Sequence, residues 1–131
     1  MAAPEYAIGV TLAAPYDDVV PLVKQALKDE GFGVMSEIDV QAALREKLGV
    51  EGGSYLIIGA CNPSLAHRAL QAEPDLGVFL PCNVIVYEAP DGTHVGAVDP
   101  QGMLGGIRNP VLEEIAVEVK RQFMRVIAAL G

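Results

Sequence analysis

Two thiols, each followed by an amide, are the residues of this sequence best suited to chemistry: Cys61-Asn62-Pro63 and Pro81-Cys82-Asn83. Asn62 followed by Pro63 reads as a helix N-cap and first helical residue. Cys61 therefore precedes a helix N-terminus, where free N–H groups and the helix dipole favour a thiolate. Cys82 falls at the start of a strand. Consecutive strands often pair, so the two thiols can be neighbours, and neighbouring thiols permit a reversible disulfide, a persulfide carrier or a soft-metal site. Against this stands the common fate of free cysteine, a small buried hydrophobe. No Cys-x-x-Cys occurs, so neither a thioredoxin motif nor a zinc ribbon is expected.

The remaining polar candidates are weaker. Asn62 has a capping duty that explains it, whereas Asn83 either ties a loop or points into a pocket. His67 and His94 read as solvated surface histidines; with the thiols they match no standard zinc spacing, so no metal and no cofactor is expected. Glu37, Asp39 and Glu88 stand at strand ends, and one of them, with Glu88 in view, can act as a general base if held beside a ligand. There is no Ser-His-Asp arrangement and no phosphate-binding glycine loop. Gly102 to Gly106 reads as a mobile loop or lid.

The elements that must position these residues follow from periodicity. Tyr6 to Leu12 alternates as a first strand. Asp17 or Asp18 caps a helix to Glu30; with Asp18 as the cap, Pro21 is the third helical residue, where a missing N–H costs nothing. Phe32 to Ile38 is a second strand. Asp39 caps a helix over 40–48 with Val40, Ala43, Leu44 and Leu48 inward, closed by Gly49 as a left-handed cap. Tyr55 to Ala60 is an interior strand, and the Asn62-Pro63 helix runs to Ala72 with Leu65, Ala66, Ala69 and Leu70 inward. Val78 to Glu88 holds a fourth strand, entered at Pro81 and alternating most clearly from Val84 to Glu88, turned by Ala89-Pro90-Asp91-Gly92 into Thr93 to Val98. Asp99 to Arg108 is an irregular glycine-rich loop. Asn109-Pro110 opens a helix to Leu130, about 32 Å long. Its stripe of Leu112, Ile115, Val119, Phe123, Val126 and Leu130 reads as core packing.

The totals bound the function. At 131 residues the chain reads as one domain, 1–131, and 51% hydrophobic residues against 20% charged ones exclude disorder. Net charge is −8 with no basic run, which argues against nucleic acid and against an anionic membrane surface. No apolar run reaches the roughly 18 residues that span a bilayer. No targeting segment is read at the start, so a cytoplasmic setting with reduced thiols is expected.

One set of strings is specific. Glu37-Ile38-Asp39, Gly59-Ala60-Cys61-Asn62-Pro63 with Ala66, Leu80-Pro81-Cys82-Asn83-Val84, Tyr87-Glu88 and Asp99-Pro100 together closely resemble the bacterial and archaeal domain-of-unknown-function family 302. The resemblance implies an α+β domain, an antiparallel sheet curved around a long C-terminal helix, similar to the TATA-binding-protein-like folds. It also implies a homodimer, and it brings no activity with it. Fold alone carries no DNA binding, and the surface is acidic. The expectation is thus a homodimeric domain binding a small molecule near Cys61, Asn62, Cys82 and Asn83. The alternative is a thiol-based redox or sulfur-transfer protein using Cys61, Cys82 or both, with Glu88 as a further catalytic candidate.

Overall fold

The computed structural model describes residues 4–131. Among them, five strands form one antiparallel sheet: β1 (Ala7–Leu12), β2 (Gly33–Asp39), β3 (Tyr55–Cys61), β4 (Cys82–Ala89) and β5 (Gly92–Val98). The order across it is β1-β5-β4-β3-β2. The helices are α1 (Tyr16–Asp29), α2 (Val40–Leu48), α3 (Pro63–Ala72), α4 (Pro100–Leu104) and α5 (Pro110–Leu130), with a 3₁₀ segment at Pro74–Phe79. The chain is therefore an α+β domain with an unclosed sheet and a C-terminal helix.

Period-two alternation sends Ile58, Ala60, Val84, Val86, Val95 and Ala97 to one face, where all are buried. Val19, Val23 and Leu27 of α1 and the α5 stripe Leu112, Ile115, Val119, Phe123 and Val126 close over that face. Phe32 stacks on Phe123 with ring centroids 4.7 Å apart. Burying such an aromatic side chain contributes about 1.5–3 kcal/mol from water exclusion. On the opposite face Tyr55 stacks on Tyr87 at 5.2 Å, Tyr87 meets His94 at 5.0 Å, and His94 Nδ1 lies 2.9 Å from Thr11 Oγ1. His94 is thus half-buried in a cross-strand row rather than solvated, and burial lowers its pKa.

The β4–β5 turn needs its glycine. Gly92 has φ 141°, and a Cβ there would collide with the Leu12 carbonyl. Beside it the buried Thr93 hydroxyl donates to Ala14 O at 2.7 Å, so no polar group is orphaned there.

Several elements differ from expectation. α1 begins at Tyr16, and Pro15 holds the cap position without a side-chain bond; Asp17 and Asp18 fall in the first turn. Pro21 is then the sixth helical residue, and the Asp17 carbonyl loses a helical donor. Both residues are exposed, so that carbonyl is open to solvent. In α2 Leu44 and Leu48 are exposed and the buried residue is Gln41, which donates to Val50 O at 3.2 Å. The cause is position: α2 follows β2, an edge strand exposed along its whole length, and has little sheet to cover. Phe32 turns into the core ahead of β2, and Leu70 points outward from α3. The fourth strand starts at Cys82, directly after Pro81 as expected, but residues 74–79 upstream form a 3₁₀ segment on which Val78 is exposed. Asp99 to Arg108 is not a featureless lid but carries α4.

Candidate functional site

Cys61 is the last residue of β3. Asn62 then turns the chain: its Oδ1 accepts from Leu65 N–H at 3.4 Å, and its Nδ2 donates to Gln122 Oε1 of α5 at 3.4 Å. Both functions of this amide are structural, a helix cap and a tie between α3 and α5.

Cys82 is the first residue of β4 and pairs in register with Ala60, one position along β3 from Cys61. The peptide bond Leu80–Pro81 before it is cis. Gly59 admits this arrangement. A Cβ at Gly59 would meet Pro81 Cγ at 2.6 Å and collide with Ser36 Oγ.

The third wall comes from α4. Asp99 Oδ1 accepts from Gln101 N–H at 3.0 Å and Gly102 N–H at 3.4 Å, while Oδ2 pairs with Lys120 Nζ of α5 at 2.9 Å. Burial pushes the Asp99 pKa up, but Lys120 and the two backbone N–H groups outweigh it and hold the carboxyl below its ordinary value. Asp99 thereby fixes α4 on α5 and brings Pro100, Met103 and Leu104 to the cavity wall.

These elements enclose a cavity of about 40 Å³. Cys61, Asn62, Cys82 and Met103 border it, and the rest of its wall is apolar, from Phe32, Ala60, Leu80, α3, the 3₁₀ segment, α4 and α5. Burial raises the Cys61 pKa. Burial, then the neighbouring Cys61, push Cys82 up to about 11. Both are free thiols, neutral at pH 7. This runs against the expected activation of Cys61 by the helix N-terminus: Asn62 already occupies the Leu65 N–H, and burial raises the thiol pKa.

The other candidates lie elsewhere. Asn83 is exposed, opposite Gly59, in a separate groove with Pro81 and Val98. Glu88 is near the far end of β4, where its Oε1 accepts from Ser54 N–H at 3.1 Å; hydrogen bonding from Ser54 lowers its pKa. Tyr16 at that end has a raised pKa, from burial first and then from Asp39, Asp17, Glu88 and Glu37. Glu37 pairs with Lys24 at 2.7 Å, and Asp39 Oδ1 caps α2 through Ala42 N–H at 2.9 Å. His67 is exposed on α3. Among the described residues no three His, Cys, Asp or Glu side chains gather to hold a metal.

Met103 and the Asp99–Lys120 tie were not anticipated. A signal for them existed: Asp99-Pro100 repeats the cap-then-proline pattern of Asn62-Pro63 and Asn109-Pro110.

The family model "Domain of unknown function DUF302" matches residues 8–130. A crystal structure of an uncharacterized conserved DUF302 protein from Bacillus stearothermophilus superposes with a TM-score of 0.89 at 28% identity, covering 98% of this chain and 100% of that one. An "Uncharacterized protein" of Aquifex aeolicus is 26% identical over 117 residues, 86% of this chain and 75% of the relative. The chain belongs to the DUF302 family.

Proposed function

We propose that this DUF302 domain is a binding module that holds a small ligand in the cavity bordered by Cys61, Asn62 and Cys82, and that it works as a cytoplasmic homodimer. The observation that carries this reading is convergence. Cys61 and Asn62 from one string and Cys82 from the other, distant in sequence, border one apolar cavity, whose third wall is pinned by Asp99. Ligand sites are concave and mostly apolar, with few polar groups. A volume of about 40 Å³ limits the occupant to a few heavy atoms.

The homodimer has its own support. The sheet face away from the core carries Ile38, Ile57, Ile85, Tyr55 and Tyr87, with no charged side chain among them, on a chain of net charge −8. An uncharged apolar face suits a second copy better than a charged partner. A reducing cytoplasm fits two free thiols.

A thiol-based redox or sulfur-transfer role is the second reading. It is favoured by the placement of Cys61 and Cys82 on adjacent strands, one position out of register. It is disfavoured by burial, which keeps both thiols protonated where a nucleophile must be a thiolate.

The test is a methyl-detected NMR screen of the native protein with small apolar and sulfur-seeking probes. Shifts confined to Leu65, Leu76, Ile115 and Met103 support the cavity as the site. Shifts only at Ile38, Ile57 and Ile85, or none at all, contradict it.

A further inference from the structure

Cys82 and Asn83 border different spaces. Adjacent residues of a strand point to opposite faces. Cys82 accordingly borders the apolar cavity, and Asn83 borders a surface groove of about 280 Å³ with Val78, Pro81 and Val98. Phe79, Leu80 and Met103 border both spaces and so stand between them. Phe79 is 39% exposed, and Leu80 and Met103 are half-buried. The three side chains are a thin partition rather than part of the core. The partition is built to yield: Met103 is unbranched and repacks readily, α4 beneath it is only five residues long, and Val78 beside Phe79 is 81% exposed.

Neither space is lined by a charged side chain. Grooves elsewhere are: Asp17 and Glu88 line one at the far end of β4, Glu30 and Arg125 one between α1 and α5, and Lys24 and Lys28 one between α1 and β2. The cavity offers an occupant a wall that is mostly hydrocarbon. The groove offers Asn83, an exposed amide that both donates and accepts. Asn62 does not duplicate it, because its oxygen is spent on the α3 cap and its amide on Gln122.

We propose that the two spaces together bind a short, uncharged aliphatic molecule end to end, with its hydrocarbon tail in the cavity and a hydrogen-bonding head, such as a primary carboxamide, on Asn83 in the groove. This rests on the binding reading above and names its ligand class. A volume of about 40 Å³ has room for about three water-sized groups, which limits the tail to a few carbons. A charged head would lose water without gaining a counter-ion, and an anionic one would also meet a chain of net charge −8. The arrangement gives the second string a division of labour: Cys82 faces the tail and Asn83 holds the head.

The experiment is an NMR titration of the reduced full chain with the primary amides from butanamide to octanamide, with hexanoate and hexylamine as charged counterparts. Methyl signals of Leu65 and Ile115 report the cavity, and the side-chain amide of Asn83 reports the groove. The expected result is that one amide shifts both sets together. Affinity should rise about fourfold per added methylene until the cavity is filled, then level off, and both charged counterparts should bind at least tenfold more weakly than hexanamide. Asn83→Ala is expected to weaken hexanamide about fivefold, the worth of one ordinary hydrogen bond, with its urea midpoint confirming that it folds. If Leu65 and Ile115 shift without Asn83, if Asn83→Ala binds hexanamide as the native chain does, or if hexanoate binds as tightly, the end-to-end proposal is overturned and the cavity stands alone as the site. If only Asn83 shifts, or if no probe shifts either set, both readings fall.

Discussion

Asp99 holds two helices with one carboxylate: Oδ1 caps α4 through Gln101 and Gly102, and Oδ2 pairs with Lys120 of α5 at 2.9 Å. The wall of the cavity that carries Met103 is attached to the body of the domain at this point. Asp99→Asn keeps a capping oxygen and removes the charge, so it isolates the ion pair. The expected loss is about 1 kcal/mol, since the pair is only partly shielded from water. Asp99→Ala removes the cap as well and is expected to cost about 1 kcal/mol more. The folded-state pKa lies below its unfolded value. The contribution is therefore complete above the unfolded pKa and is lost as pH falls through the folded one. Urea midpoints of native and Asp99→Asn proteins should differ at pH 7 and converge as pH falls below the ordinary aspartate value.

Cys82 gives the opposite pH dependence. Its folded pKa is raised to about 11. Its contribution is complete below the unfolded thiol value of ~8.5 and declines as pH rises from there to about 11, by at most ~1.4 kcal/mol per pH unit. Native protein should lose stability between pH 8 and 10 faster than Cys82→Ala does. Equal slopes in urea titrations at those two pH values contradict the burial of this thiol.

The Phe32–Phe123 stack anchors α5 to the end of α1, with Phe123 fully buried. Phe123→Ala is expected to cost about 3–5 kcal/mol, from lost burial plus the cavity left behind. Thermal unfolding followed by circular dichroism measures it, against an exposed control such as Met124→Ala that should change little.

Gly59 is where β3 lets Pro81 and Ser36 come close. Gly59→Ala is expected to destabilise by about 1–3 kcal/mol through overpacking. Ser36→Ala in the same chain should recover only part, because Pro81 Cγ remains at 2.6 Å from the added Cβ. Full recovery, read from urea midpoints, contradicts this geometry.

The fold was largely legible because its signals are local. Asn62-Pro63 and Asn109-Pro110 mark helix starts that the structure places where the sequence puts them. The α5 stripe reads as core because its spacing is helical over the length of the helix, and Leu112 to Val126 of it join the core. The misreadings come from tertiary context. Leu44 and Leu48 have helical spacing, yet α2 sits at the exposed margin by β2, where nothing covers them. Pro21 was read as tolerable only at a helix start, but the carbonyl it leaves without a donor is open to solvent. For the site, Cys61 and Cys82 were legible as neighbours, since successive strands tend to pair. Their acidity was not, because desolvation depends on α3, α4 and α5 closing over the strand ends. Glu88 and Asn83 carried the same family strings as the thiols but lie away from the cavity, because strand alternation and length set their positions.

The most direct test of the central claim is site-resolved alkylation of the native protein by a small reagent across pH, with Cys61 and Cys82 read separately by mass spectrometry. Two neutral, partly buried thiols should label far more slowly at pH 7 than in the urea-unfolded chain. Cys61 should respond first as pH rises, and Cys82 only toward pH 11. Rapid labelling of either site at pH 6 to 7 would show a stabilised thiolate. That result contradicts the binding-cavity account and puts thiol chemistry in its place.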